Sequence, residues 1–218
     1  MSATPRAPFV YLITDRHATQ GRPLTGVIAG ALRALQGSHL PSSAVAIQLR
    51  EKDLPGGTLV ELGRQLRAVT NAAGVRLFVN DRIDVALAVG ADGVHLGDGA
   101  LGVDDAHALA PALQIALSTH SPAGVARAAA DPRVSFVVFG PVFETPSKRG
   151  FGPPQGLQAL RAACASSISV LALGGVGANE IPACLGAGAA GVGCIRGVLS
   201  NPDPEAALRR FFEAIEST

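Results

Sequence analysis

Two hydrophobic periods take turns along this chain. Eight short runs are dense in Val, Ile, Leu and Ala, at residues 9–14, 44–50, 76–80, 93–97, 114–118, 134–140, 169–174 and 190–195. Each is too brief for a helix and reads as a strand buried on both faces. Between them, apolar residues recur every three to four positions, as on a helix with one buried side, at 27–36, 59–73, 83–89, 104–109, 122–130, 156–165, 179–185 and 204–215. The last of these carries Leu208, Phe211, Phe212 and Ile215 on one side, and Gly90 and Gly186 stop the third and seventh. Strand–helix units cross over with one hand, so eight of them either wind into an open sheet or close on themselves. Even spacing favours closure. The expected architecture is an α/β chain folded as a single (β/α)8 TIM barrel over residues 1–218, with its core at about residues 9–216. No linker, low-complexity tract or charge run divides it.

In such a barrel the chemistry belongs to the C-terminal ends of the strands. Those ends carry, in order, Thr14 and Asp15; Gln48, Arg50 and Lys52; Asn80 and Asp81; His95, Gly97 and Asp98; Ser118 and His120; Thr145, Ser147 and Lys148; Gly174 and Gly175; Ile195, Arg196 and Gly197. The opposite tips are mostly Gly, Ala and Pro. This polarity is the main sign of an active site. Gln48, Arg50 and Lys52 alternate, so they project to one face, and cations at an interior mouth suit a diphosphate. The bland alternative has Arg50 paired with Glu51 or Asp81. Asn80 and Asp81 offer oxygen ligands of the kind Mg²⁺ takes, although Asp81 could equally cap the helix at Ile83. Thr145, Ser147 and Lys148 supply hydroxyls and a cation, and Gly174 and Gly175 let backbone N–H groups approach a phosphate. Gly193 and Gly197 bracket the eighth strand beside Ile195 and Arg196. His95 reads as a satisfied core histidine, and His120 as a proton-transfer candidate. No Ser-His-Asp or Cys-His arrangement is readable.

Composition narrows the field. Net charge is +1 with no basic block, which argues against nucleic acid or an anionic membrane as partner. The first eight residues lack an apolar signal core, and no apolar stretch approaches the ~20 residues that span a bilayer. Cys164, Cys184 and Cys194 have no metal-like spacing and are expected as buried thiols in a reducing cytosol. The expectation is a cytoplasmic globule.

The segment from Gln48 to Lys52, then Val79-Asn80-Asp81-Arg82, Gly93-Val94-His95-Leu96-Gly97, Ser118-Thr119-His120-Ser121, Phe139-Gly140-Pro141-Val142-Phe143, Thr145 with Ser147 and Lys148, and Gly174-Gly175-Val176 resemble, in order and spacing, the thiamine phosphate synthases. Thiazole tautomerases of thiamine biosynthesis belong to the same superfamily. The resemblance implies transfer of hydroxymethylpyrimidine from its diphosphate to a thiazole phosphate. It implies pyrimidine diphosphate contacts at Gln48, Arg50, Lys52, Asn80 and Lys148, a pyrimidine-side contact at Ser118, and thiazole phosphate and diphosphate contacts at Thr145, Ser147 and Gly175. Gly174, Ile195 and Arg196 complete the candidate phosphate set. It implies Mg²⁺ at Asp81, with Asp98 as the candidate second ligand because Ala100 stands where synthases carry an Asp. Arg50, Lys52, Ser118, Lys148 and His120 are the catalytic candidates. Partners would be the two small-molecule substrates, with a homodimer left open. Three features lean towards the tautomerases: Arg196 in place of a small Ser, the missing carboxylate at Ala100, and the run Phe143-Glu144-Thr145. Pro141 leans against them, since it replaces their acid/base His. A tautomerase needing no metal and a non-catalytic thiazole or thiamine phosphate binder are the alternatives.

Overall fold

A computed structural model describes residues 7–145 and 153–218. Eight parallel strands close into a barrel in sequence order: β1 Val10–Ile13, β2 Val45–Leu49, β3 Arg76–Asn80, β4 Gly93–Leu96, β5 Gln114–Thr119, β6 Val134–Phe139, β7 Val170–Ala172 and β8 Gly191–Cys194. The ring shuts where Val10 pairs with Val192. Helices α1 Leu24–Leu32, α2 Gly56–Ala73, α3 Ile83–Val89, α4 Val103–Leu109, α5 Pro122–Ala129, α6 Gly156–Cys164, α7 Ile181–Gly186, α8 Arg196–Leu199 and α9 Pro204–Glu216 accompany the strands.

Strand periodicity sorts the side chains to two sides, an outer layer under the helices, where Val94, Leu96 and Ile115 form a cluster of their own with α3 and α4, and the lumen. Val10, Leu12, Val45, Ile47, Leu77, Val79, Val137 and Val192 belong to the cluster shared with the helices. The alternate positions Tyr11, Ile13, Ala46, Phe78, Ala116, Phe136, Val138 and Leu171 fill the barrel lumen. Three lumen aromatics set its packing. Tyr11, Phe78 and Phe136 meet edge to face, with centroids 5.3 to 5.7 Å apart, the arrangement that ring quadrupoles favour. Gly93 makes room for them, since a Cβ there would lie 2.4 Å from Phe78 Cε1 and 2.6 Å from the Gln114 carbonyl oxygen. Gly93→Ala is expected to cost about 1–3 kcal/mol of stability through overpacking, measured as a lowered urea midpoint at unchanged slope.

The sequence misplaces some boundaries for physical reasons. The first helix begins at Leu24 and tightens into a 3-10 turn at Arg33–Leu35. The seventh starts as a 3-10 turn at Ala178–Glu180 before α7 proper. The seventh strand is only Val170–Ala172. Helix α8, four residues long, is too short to leave a periodic trace. The three cysteines are free, and burial pushes the Cys164 thiol up to about 11 and those of Cys184 and Cys194 up to about 12.

Candidate active site

The C-terminal rim is assembled strand by strand. At the end of β1, buried Thr14 accepts a hydrogen bond from the Arg50 backbone N–H at 2.8 Å, which fixes where β2 delivers its cations. Arg50 itself has no carboxylate partner among the described residues. Its neighbour Glu51 is turned away, accepting from the Arg16 backbone N–H at 3.1 and 3.2 Å and from its guanidinium at 3.1 Å. Lys52 leans over the next strand, with Nζ 3.6 Å from Asp81 Oδ2. The pairing of Arg50 with Glu51 or Asp81, the bland sequence alternative, does not form.

Asp81 sits in the left-handed region at φ 59°, a conformation that Asp tolerates better than most residues. Its N–H donates to the His95 carbonyl at 2.9 Å, and the following N–H of Arg82 folds back onto Asn80 O at 2.7 Å. This turn swings the carboxylate over the barrel mouth. Oδ1 accepts from the Gly97 N–H at 2.8 Å and Oδ2 from the Asn80 amide at 2.7 Å. Helix capping, the other sequence reading of Asp81, is therefore excluded. Arg82 occupies the N-cap position of α3 with no side-chain cap, and it pairs with Asp84 at 2.5 Å instead.

Beneath the rim lies a polar chain that sequence reasoning missed. The Tyr11 hydroxyl is 3.4 Å from His95 Nδ1, and His95 Nε2 is 2.9 Å from Ser118 Oγ. His95 is indeed a satisfied core histidine, but one of its partners is a candidate site residue. Burial is the main force holding its pKa down to about 3; Asp81 pulls upward, while Arg50 and Lys52 push further down. All three charges thus act on one imidazole, as expected if they share an end of the barrel. Burial likewise drives the Tyr11 phenol well above its ordinary value. Gln48 lies on the same lumen face, 1 % exposed, close enough to act on the Tyr11 phenol, and its buried amide nitrogen completes no hydrogen bond of good geometry among the described residues. The signal for this chain was the strand alternation itself, which puts Tyr11, Gln48, His95 and Ser118 on inward positions.

Asp98 and His120 meet one another. His120 Nδ1 donates to the Gly140 carbonyl at 2.6 Å, and Nε2 lies 3.2 Å from Asp98 Oδ2. They share with Ser118 the wall of a cavity of about 400 Å³ that extends along α5, past Ser121 and Arg127 to Asp131. On the far side, Gly174 and Gly175 have φ of 98° and 66°. A Cβ on Gly174 would lie 2.6 Å from Pro141 Cα, and one on Gly175 would lie 2.5 Å from the Glu144 carbonyl oxygen. The two glycines thus dock the loop after β6 against β7, through Val142 N–H to Leu173 O at 2.8 Å and Phe143 N–H to Gly174 O at 2.9 Å. Thr145 ends that described stretch. Ser147 and Lys148 lie outside the described residues. Ile195 holds the N-cap position of α8, and Arg196, exposed, is its first residue. Gly193, on β8, faces Leu173, whose Cδ1 would stand 3.0 Å from an added Cβ.

The family model described as thiamine monophosphate synthase matches residues 10–198, nearly the whole barrel. The chain belongs to that family. A putative thiamine-phosphate synthase of Geobacter sulfurreducens is 45% identical over 202 residues, covering 92% of this chain and 91% of its own. The thiamine-phosphate synthase of Roseiflexus sp. is 40% identical over 209 residues, covering 95% and 85%. Among solved structures, thiamine phosphate pyrophosphorylase from Pyrococcus furiosus superposes with a TM-score of 0.83 at 32% identity, over 95% of each chain. These relatives bear out the synthase reading of the motifs and do not favour the tautomerase one. Arg50, Lys52, Asn80 and Asp81 lie at or just past the ends of β2 and β3, at one rim of that barrel.

Proposed function

We propose that this chain joins hydroxymethylpyrimidine diphosphate to a thiazole phosphate and releases diphosphate. The observation that carries the reading is Arg50, fixed by Thr14 and unclaimed by any described carboxylate, beside Lys52 and Asp81 at the barrel mouth. The C–O bond between the pyrimidine methylene and diphosphate breaks, and its electron pair leaves with the diphosphate. The thiazole nitrogen then attacks the cationic carbon and forms the new C–N bond. Arg50 and Lys52 stabilise the charge that grows on the leaving group, in a site already organised for it. The buried Gln48 amide N–H, which completes no hydrogen bond of good geometry among the described residues, suits an acceptor ring nitrogen of the pyrimidine. Ser118, tied to His95, fixes the ring's orientation. Thr145, Ser147, Lys148, Gly174, Gly175, Ile195 and Arg196 are the proposed contacts for the phosphates, and His120 is retained as a proton-transfer candidate.

Mg²⁺ fits the donors at hand only as a site that substrate completes. Among the described residues no group of three His, Cys, Asp or Glu side chains is placed to hold a metal. Mg²⁺, however, commonly takes one or two carboxylates and fills its shell with water and phosphate oxygens. Asp81, with Asp98 as second ligand, would hold it, and the ion would neutralise the departing diphosphate. Ala100 contributes nothing. Among the described residues no helix is long and apolar enough to cross a membrane. A cytoplasmic location and small-molecule partners belong to the same reading.

The test supplies both substrates with and without Mg²⁺ and follows diphosphate. Release that requires both substrates and the metal is expected. Thiazole tautomer conversion without Mg²⁺ would replace the proposal with an isomerase, and phosphate-ligand affinity with neither turnover would leave a binder.

A further inference from the structure

Four residues at the end of β2 alternate in sign: Arg50, Glu51, Lys52 and Asp53. Left to themselves they carry no net charge, and each cation has a carboxylate next to it in the chain. A rim meant to grip a polyanion needs those carboxylates occupied elsewhere. The loop after β1 does this with one residue. Arg16 takes Glu51 through its backbone N–H and one guanidinium nitrogen, then reaches Asp53 with a two-pronged contact at 2.6 and 2.5 Å. Glu51 is almost fully enclosed, its side chain 2 % exposed. The paired guanidinium drives the Asp53 carboxyl well below its usual range. His17 adds a contact to Asp53 at 3.3 Å. With both acids claimed, and among the described residues, Arg50 has no carboxylate partner and Lys52 keeps only the 3.6 Å contact with Asp81.

We propose that Arg16 is a positioning residue: by holding Glu51 and Asp53 it leaves Arg50 and Lys52 available for the substrate's diphosphate. This rests on the proposed diphosphate chemistry. Removing Arg16 frees one or two carboxylates to compete with diphosphate for the neighbouring cations. Glu51 would keep its backbone N–H donor from position 16, so the loop is not left with an unsatisfied acid.

The experiment measures binding of inorganic diphosphate, in Mg²⁺ buffer, by calorimetry. Wild type and Arg50→Ala come first: no binding by wild type, or equal binding by both, rejects the parent functional reading rather than this inference. Given wild-type binding, Arg16→Ala is expected to weaken affinity roughly tenfold or more. Adding Glu51→Gln and Asp53→Asn to Arg16→Ala should bring it back to within about threefold of wild type. Rescue by deleting acids is not what a merely structural arginine would show. Unchanged affinity in folded Arg16→Ala, or no rescue in the triple variant, overturns the proposal. Should Arg16→Ala fail to fold, the triple variant is compared with Glu51→Gln/Asp53→Asn. Equal affinities are expected there, because no acid remains to be held, and a further loss in the triple variant overturns the inference by showing that Arg16 acts on the anion or the rim directly.

Discussion

Arg50→Ala is expected to lower kcat/KM for the pyrimidine diphosphate by at least about 2 kcal/mol of transition-state stabilisation, roughly 30-fold. A guanidinium at the mouth of a barrel, with its backbone pinned by Thr14 Oγ1 at 2.8 Å and no carboxylate partner among the described residues, is a charge held ready at a cost. The cost is recovered only when an anion arrives. In the dissociative displacement proposed here the anion grows during the reaction, so the interaction is stronger in the transition state than in the bound substrate, and kcat should fall along with kcat/KM. Arg50→Lys should recover only part of the loss, because a point charge cannot offer the planar pair of donors that a diphosphate accepts. Steady-state release of diphosphate decides it. Wild-type rates for Arg50→Ala, and for the parallel Lys148→Ala expected from the sequence motif, would remove diphosphate departure from this rim.

Much of this site was legible in the sequence because a strand writes its geometry into a period of two. Once residues 44–50 read as a buried strand, Gln48 and Arg50 had to share a face, and the barrel brought that face beside Asn80 on β3, which pairs directly with β2. What stayed hidden has two sources. One is backbone torsion. Nothing in the dipeptide Asn80-Asp81 announces that Asp81 turns left-handed, yet that single φ of 59° separates a helix cap from a carboxylate over the mouth. The other is distance along the chain. Arg16 acts on Glu51 and Asp53, which lie 35 and 37 residues away, and His95 meets Tyr11 across 84. Local patterns place each residue on a face but do not say which partner waits there. Helix α8 shows the same limit from the side of length, since four residues from Arg196 to Leu199 contain barely one turn.

The second large effect is expected in acid, and it comes from His95. An imidazole in the unfolded chain takes a proton near pH 6.5, whereas burial in the lumen delays that uptake to about 3 in the folded protein. Between those values the unfolded state binds more protons than the native one, so stability falls as pH falls. There is no penalty above about 6.5; below it the penalty grows at up to about 1.4 kcal/mol per pH unit and levels off near pH 3. Summed over that window the loss reaches about 5 kcal/mol, a large share of the 5–15 kcal/mol that typical domains possess. Urea midpoints taken between pH 7 and 5 isolate the effect, because most carboxylates remain ionised there. Wild type should lose stability steadily over this interval, while His95→Asn, which cannot titrate, should start lower at pH 7 and lose far less. Parallel slopes in the two proteins would mean that His95 protonates freely in the fold, and the enclosed Tyr11–His95–Ser118 chain would have to be abandoned. If the slopes diverge as expected, the same neutrality explains how the chain serves the site. An imidazole that carries no charge at working pH holds the Ser118 hydroxyl by one hydrogen bond at 2.9 Å. It does so without adding a positive charge beneath the carbon where the proposed reaction creates one.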